Sequence, residues 1–110
     1  MEKMNWTSNP RPRYLSGSIS NGGTKTPSFE GFHEAEKRLR EEGFEVLNPA
    51  RWEQEEERDW SWYLARDLKL IYETRPVMYM LAGWSSSLGA RLEKQWAELL
   101  SLEIEYEQLD

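Results

Sequence analysis

Apolar and polar positions along the chain follow two periods, one typical of strands and one typical of helices. Four short runs have the apolar content or the alternation of β-strands, and three longer segments repeat apolar residues every three to four positions. The predicted strands cover residues 13–16, 44–47, 76–81 and 102–106, and the predicted helices cover about residues 27–42, 60–72 and 88–100. Strands that alternate with helices predict an α/β fold with a small parallel sheet and right-handed crossovers.

Capping residues indicate where these helices begin and end. Asp59 and Ser87 are suited to the N-terminal ends of the second and third helices, because their side-chain oxygens can accept from free backbone N–H groups. Thr26 followed by Pro27 predicts the start of the first helix. Gly43 predicts its end, since glycine adopts the left-handed conformation that commonly follows a helix.

Composition indicates one small domain and excludes several kinds of chemistry. The chain has 110 residues, a net charge of −6 and 6 tryptophans. An acidic protein lacks the basic surface that duplex nucleic acid and anionic membranes require, so we expect neither as a partner. The chain has no cysteine, and its single histidine, His33, has the pattern of a solvated helix residue. We therefore expect no metal or other cofactor. We expect a flexible lead-in over residues 1–12, one domain over residues 13–110, and a cytoplasmic location.

The third helix carries an acidic residue where its pattern predicts an apolar one. Glu93 lies within the apolar arc of this helix, one turn after Gly89. A buried, unpaired carboxylate costs several kcal/mol, against a total stability of about 5–15 kcal/mol. Glu93 therefore has a partner, faces a pocket or performs chemistry, unless it lies at the solvated edge of the arc. The arc comprises Leu88, Leu92, Trp96, Ala97, Leu99 and Leu100.

The second helix has a similar acidic interruption. Asp67 lies at the centre of its apolar stripe, although aspartate is rarely fully buried. Two interpretations stay open: Asp67 pairs with Arg66 or another basic group in a structural network, or it is a second carboxylate of a functional site. The stripe comprises Trp60, Tyr63, Leu64, Leu68 and Ile71.

Loops of small residues follow the first and third predicted strands. In a parallel sheet both loops lie beyond the carboxyl ends of strands, where ligands bind. The first loop, residues 17–24, has neither a dinucleotide fingerprint nor a P-loop motif. It is either a flexible turn or a source of backbone N–H groups for a phosphate or sugar. In the second loop, Ser87 caps the helix and Gly89 lets a ligand approach its first turn.

Several short motifs occur in order along the chain. They comprise Tyr14-Leu15-Ser16-Gly17-Ser18-Ile19 with Gly22-Gly23, then Arg66-Asp67, then Ser87-Leu88-Gly89 ahead of Glu93. Together they resemble the nucleoside 2-deoxyribosyltransferase superfamily over about residues 14–106, and most of all its 2′-deoxynucleoside 5′-phosphate N-hydrolases. The middle of the chain, with Asn48-Pro49-Ala50 and Gly83-Trp84, is also similar to small uncharacterised bacterial and phage members.

The resemblance implies a flavodoxin-like Rossmann fold, a three-layer sandwich, and cleavage of the bond between base and sugar in a nucleoside or nucleoside 5′-monophosphate. It implies that Glu93 is the nucleophile at the sugar C1′ and that Asp67 orients or protonates the substrate. Two carboxylates beside a sugar are the usual device for glycosidic cleavage. The substrate-binding residues that we predict are Tyr14, Gly17, Ser18, Ile19, Gly22, Gly23, Trp84, Ser87 and Gly89.

The sequence departs from this family at the first loop. Where the hydrolases usually carry an arginine, this chain has Ser20, followed by one additional residue, Asn21. Other basic residues are then candidates for a phosphate: Arg11, Arg13 and Lys25.

Three functions stay open from the sequence. They are an N-glycosidase or deoxyribosyltransferase, a nucleotide-binding module without turnover, and an interaction domain. The tryptophan content, the thin sheet and the oligomers formed by the resembled family predict a homodimer, with Trp62 and Trp96 at or beside the contact.

Overall fold

Within residues 11–18, 29–52 and 58–107, which the computed structural model describes, the chain forms four strands and three helices. The strands are β1 (Arg13–Ser16), β2 (Val46–Leu47), β3 (Val77–Met80) and β4 (Ile104–Tyr106). The helices are α1 (Glu30–Glu41), α2 (Trp60–Thr74) and α3 (Leu88–Leu99). Short 3-10 turns follow β2 and β3, at Pro49–Arg51 and Trp84–Ser86.

All strand pairings are parallel, in the order β2-β1-β3-β4. This order corresponds to the first four strands of the flavodoxin-like arrangement. The chain passes from β1 outward to β2 and then returns to β3 on the other side of β1, so the strand order reverses between β1 and β3. In open α/β sheets ligands bind at such a point, beyond the carboxyl ends of the strands.

The helices cover both faces of the sheet, which confirms the predicted α/β class and its three layers. Alternate residues of β1 separate the two cores: Tyr14 belongs to the cluster that includes α2 and α3, and Leu15 to the cluster that includes α1. The buried face of α3 consists of Ala90, Glu93 and Ala97. Two small side chains at these positions let the helix lie close to the sheet.

The predicted caps of α2 and α3 are confirmed. The Asp59 side chain accepts from the Trp62 N–H at 2.9 Å, and the Ser87 hydroxyl accepts from the Ala90 N–H at 3.2 Å. Gly43 follows α1 with a φ of +99°, as predicted. The predicted start of α1, at Thr26 and Pro27, lies outside the described residues.

The apolar arcs predicted for α2 and α3 are too broad. Trp60 and Leu88 are each 54% exposed, and Leu99 is 78% exposed. The face of α3 that lies on the sheet consists of Ala90, Glu93 and Ala97, so Leu88 and Leu99 at the edges of the predicted arc remain exposed. Trp96 is instead half-buried, and its indole N–H donates to the Leu68 carbonyl at 2.9 Å. Trp96 therefore joins α3 to α2 within one chain.

Candidate active site

Glu93 is buried on the sheet-facing side of α3 and is held by two hydroxyl groups of β1. Its side chain is 7% exposed. The Tyr14 hydroxyl donates to Oε2 at 3.1 Å, and the Ser16 hydroxyl donates to Oε1 at 2.6 Å. Because Tyr14 and Ser16 are two residues apart on a strand, both side chains point toward α3. Glu93 is therefore a buried residue with partners and does not lie at a solvated edge.

Asp67 lies beside Glu93 and also contacts a cation. It is 4% exposed, and the Nη2 and Nε atoms of Arg66 lie 2.8 Å and 3.1 Å from its Oδ1. The Asp67 carboxyl also lies within hydrogen-bonding reach of the Glu93 carboxyl and of the Tyr14 hydroxyl. Asp67 therefore pairs with Arg66, as the first interpretation requires, and it lies beside Glu93, which leaves its predicted role in a functional site a hypothesis. We call Glu93 and Asp67 the carboxyl dyad.

Burial and mutual repulsion change the protonation of the carboxyl dyad. Burial raises the pKa of Glu93 to about 8, the negative charge of Asp67 adds to the rise, and the hydrogen bonds from Ser16 and Tyr14 oppose it. Burial also raises the pKa of Asp67, against the effect of Arg66. Two carboxyls in contact in a protein interior do not readily ionise together. At neutral pH Glu93 therefore favours its protonated form, whereas Arg66 stabilises the charged form of Asp67.

A cavity of about 430 Å³ opens onto the carboxyl dyad, within the range of small-molecule sites, about 300–1,000 Å³. It lies beyond the carboxyl ends of β1 and β3, at the point where the strand order reverses. Its lining comes from α2, from the end of β1, from α1 and the 3-10 turn after β2, and from the turn and helix start that precede Glu93 on α3. The lining residues are Leu15, Gly17, Phe32, Pro49, Trp60, Tyr63, Leu64, Asp67, Ser86, Ser87, Leu88, Gly89, Ala90 and Glu93.

Most of the described site residues that we predicted meet at this cavity. Gly17, Ser87 and Gly89 line it, and Tyr14 reaches it through its hydrogen bond to Glu93. The predicted substrate-binding residues Ile19, Gly22 and Gly23 lie outside the described residues. Ser18 is half-buried and is not a lining residue.

Trp84 departs from its predicted position. It packs against the core between the sheet and α3, with its ring centroid 6.0 Å from that of Tyr106 and 5.5 Å from the Lys94 Nζ. It is not a lining residue of the cavity. Gly83, with a φ of +84°, starts the turn that carries Trp84 toward β4, the neighbouring strand.

Two of the candidate phosphate ligands lie at the wrong end of the sheet. Arg13 begins β1, is 2% exposed and binds both carboxylate oxygens of Glu105, at 2.9 Å and 3.2 Å. Arg11 donates to the Arg75 carbonyl near the start of β3. The cavity lies at the opposite, carboxyl ends of these strands, so neither arginine serves a phosphate there. Lys25 lies outside the described residues.

Ser16 and the apolar walls of the cavity were not among the site residues predicted from the sequence. Ser16 was detectable, since it occupies the same strand face as Tyr14 two residues earlier. The wall residues gave no comparable signal, because apolar side chains that line a cavity have the same pattern as core residues. These residues are Leu15, Phe32, Pro49, Trp60, Tyr63 and Leu64.

In the described part of the chain, no group of three or more histidine, aspartate or glutamate residues could hold a metal ion. No helix in that part is both long enough and apolar enough to cross a membrane.

The fold and the cavity define an α/β protein with two buried carboxyls at the switch point of a parallel sheet. The chain belongs to the family described as Domain of unknown function (DUF4406), which it matches over residues 12–106. The match includes β1 to β4 and the carboxyl dyad. Comparisons with curated proteins and with solved structures gave no match.

Proposed function

We propose that this protein is an N-glycosidase of the nucleoside 2-deoxyribosyltransferase superfamily that cleaves the base–sugar bond of a nucleoside or nucleoside 5′-monophosphate. The observation that carries this proposal is the carboxyl dyad, in which two buried carboxyls in mutual contact line a ligand-sized cavity and burial raises the pKa of Glu93 to about 8. Glycosidic cleavage needs one carboxylate and one carboxylic acid beside the sugar. A dyad with one proton supplies both.

The walls of the cavity suit the two ends of such a substrate. Trp60 and Tyr63 offer aromatic faces on which a nucleobase can stack. The start of α3 offers the Ser87 hydroxyl and backbone N–H groups to the 5′ end of the sugar. A ligand bound between these two sides places C1′ near Glu93 and the base nitrogen near Asp67.

The proposed reaction has two steps. In the first, a Glu93 oxygen forms a bond to C1′, the bond from C1′ to the base breaks, and the base takes its electron pair together with the proton from Asp67. The product is a glycosyl ester of Glu93 and a free base. In the second, water attacks C1′, Glu93 leaves as a carboxylate, and Asp67 accepts the proton of the water. If a second base attacks instead, the reaction is a transfer.

This reaction requires the dyad proton to move from Glu93 to Asp67. The two carboxyls are already in hydrogen-bonding reach, so the proton crosses one hydrogen bond. Positive charge that develops at C1′ favours the ionised form of the nearest carboxyl, which is Glu93. In retaining glycosidases the two catalytic carboxyl groups lie about 5–5.5 Å apart. We therefore expect the carboxyls to separate when a sugar enters.

Base release from a panel of nucleosides, deoxynucleosides and their 5′-monophosphates tests the proposal, with products separated by chromatography. We expect release from at least one member of the panel. Parallel reactions that contain a second free base distinguish hydrolysis from transfer. Binding without release would support a nucleotide-binding module, and neither binding nor release would support an interaction domain.

A further inference from the structure

Arg66 is held by aromatic rings as well as by Asp67. Its guanidinium carbon lies 5.1 Å from the ring centroid of Tyr63, 5.5 Å from that of Trp52 and 5.8 Å from that of Trp62. Contacts of this kind attract a cation to a ring face. The side chain is 25% exposed, so it is largely removed from water. We call Trp52, Trp62 and Tyr63 the aromatic cage.

The aromatic cage explains an unusual contact. Adjacent residues on a helix do not face each other, yet two nitrogens of Arg66 contact the same oxygen of Asp67, at 2.8 Å and 3.1 Å. The Arg66 side chain must therefore bend back along α2. The rings of the aromatic cage hold the Arg66 side chain in that bent position. The guanidinium therefore places a positive charge beside Oδ1 of Asp67.

We propose that Arg66 is a positioning residue of the site: held by the aromatic cage, it fixes Asp67 against Glu93 and keeps the negative charge of the ligand-free dyad on Asp67. The proton then lies on Glu93, which is not nucleophilic until a substrate draws the proton across. The part of this inference that concerns turnover rests on the proposed function. The part that concerns charge rests on the contacts alone.

Among the described residues, the titratable or charged groups with the largest effect on Asp67 come from three different elements packed around it. They are Arg66 from α2, Glu93 from α3 and Tyr14 from β1. Arg66 is the cation among them, and it stabilises every anionic form of the dyad. Its removal therefore shifts both titration steps of the dyad to higher pH. A neighbouring arginine lowers the pKa of an aspartate by about 1–3 units.

Carbon-13 NMR of the carboxyl groups in the full-length protein, without ligand, tests this inference. With labelled glutamate and aspartate side chains, the dyad is titrated from pH 4 to pH 10 in the parent and in Arg66→Gln. We expect both steps to move to higher pH by about one unit or more in the variant. A folded Arg66→Gln protein whose dyad titrates as in the parent would overturn the inference.

Arg58→Gln is a matched control. Arg58 also places its guanidinium over Trp62, at 5.0 Å, but it is exposed, and its substitution removes the same charge. We expect the dyad titration to stay within a few tenths of a pH unit. An equal shift in Arg58→Gln would mean that net charge alone is responsible.

If Arg66→Gln does not fold, the same titration is carried out on Trp62→Leu, which weakens the aromatic cage. We expect a smaller shift of the dyad titration in the same direction. No shift in Trp62→Leu would refute the inference.

Turnover gives a second, separate measurement. If the protein releases a base, we expect the pH profile of kcat/KM to move upward by the same amount in Arg66→Gln and to return toward the parent profile in Arg66→Lys. A profile unchanged by Arg66→Gln would contradict the positioning role. If no substrate is found, the proposed function fails, whereas the NMR titration still supports or overturns the charge assignment.

Discussion

Two buried glutamates show how partners decide the charge of a carboxyl. Glu36 is 4% exposed and Glu93 is 7% exposed, but Glu93 lies deeper among the surrounding protein atoms. At Glu36, burial acts to raise the pKa, but hydrogen bonds from Arg51, Asn48 and Arg40 outweigh it and lower the pKa to about 2. At Glu93 the hydrogen bonds come from uncharged hydroxyls, the nearest charge is negative, and the pKa rises to about 8. A strongly raised pKa in a residue that lines a cavity is the environment that we expect of a functional carboxyl, and Glu93 has it whereas Glu36 does not.

The first prediction concerns Glu93 as nucleophile. Glu93→Gln keeps the size of the side chain, and its amide oxygen can still accept from one of the two hydroxyls of Tyr14 and Ser16 while its NH2 group donates to the other, but an amide cannot form the glycosyl ester. We expect kcat for base release to fall by several orders of magnitude while ligand binding, measured by calorimetry, persists. Glu98→Gln on the exposed side of α3 is the control and should retain parental activity. If Glu93→Gln turns over at a rate near that of the parent, Glu93 is not the nucleophile.

The second prediction concerns stability against pH and needs no substrate. The pKa of Glu93 is about 8 in the folded state, above its ordinary value of 4.5. Its contribution to stability is therefore fully present below pH 4.5 and is lost as the pH rises through 8. In Glu93→Gln this loss is absent. At about 1.4 kcal/mol per pKa unit, we expect the stability of the variant relative to the parent to rise by about 2–4 kcal/mol between pH 5 and pH 9.

Chemical denaturation at a series of pH values measures this difference. Contributions of residues that do not contact Glu93, including the acid-sensitive contribution of Glu36, cancel in the comparison, whereas Asp67 titrates together with Glu93 and its change is part of the measured difference. Glu98→Gln should follow the parent across the range. A difference between Glu93→Gln and the parent that is constant with pH would show that Glu93 titrates normally in the folded protein.

At the scale of elements, the end of β1 packs so closely on β3 that only glycine fits. A Cβ added at Gly17 would lie 2.9 Å from the Cβ of Leu81. Gly17→Ala must therefore displace the end of a strand at the cavity, at a cost of about 1–3 kcal/mol. Gly31→Ala in α1 is the matched control, because the added Cβ meets no atom within 4 Å. For Gly31→Ala we expect about 0.5–1 kcal/mol of stabilisation from helix propensity. Equal unfolding temperatures for Gly17→Ala and Gly31→Ala would contradict this packing.

The elements that the sequence predicts best are those with local causes. The helix starts at Asp59 and Ser87 follow from capping within one turn, and the carboxylates at Asp67 and Glu93 were detectable because they interrupt helical periods. Trp84 was misplaced because its direction depends on packing against Tyr106, which is distant in sequence. The contact between the two carboxyls likewise depends on how α2 and α3 pack on the sheet, which no local pattern specifies.

At the scale of the whole molecule, α2 and α3 leave large apolar side chains on the surface. Five of the exposed large hydrophobic residues belong to these helices: Trp60, Trp62, Tyr72, Leu88 and Leu99. Trp60 and Leu88 also border the cavity. Apolar surface beside a binding site is typical of a contact with another molecule. Trp96, which the sequence analysis also assigned to the contact, is used within the chain.

The last prediction is that this surface joins two copies of the chain. We propose a two-fold homodimer in which the outer sides of α2 and α3 meet, with the partner closing the cavity beside Trp60 and Leu88. Light scattering at micromolar concentration should give about twice the chain mass of 13.1 kDa. Leu99→Lys should shift the monomer–dimer equilibrium toward the monomer, because a charge in an apolar contact is unfavourable. Tyr106→Lys, at an exposed aromatic residue of β4, should not. A single-chain mass in the parent, with base release intact, would show that one chain builds the whole site.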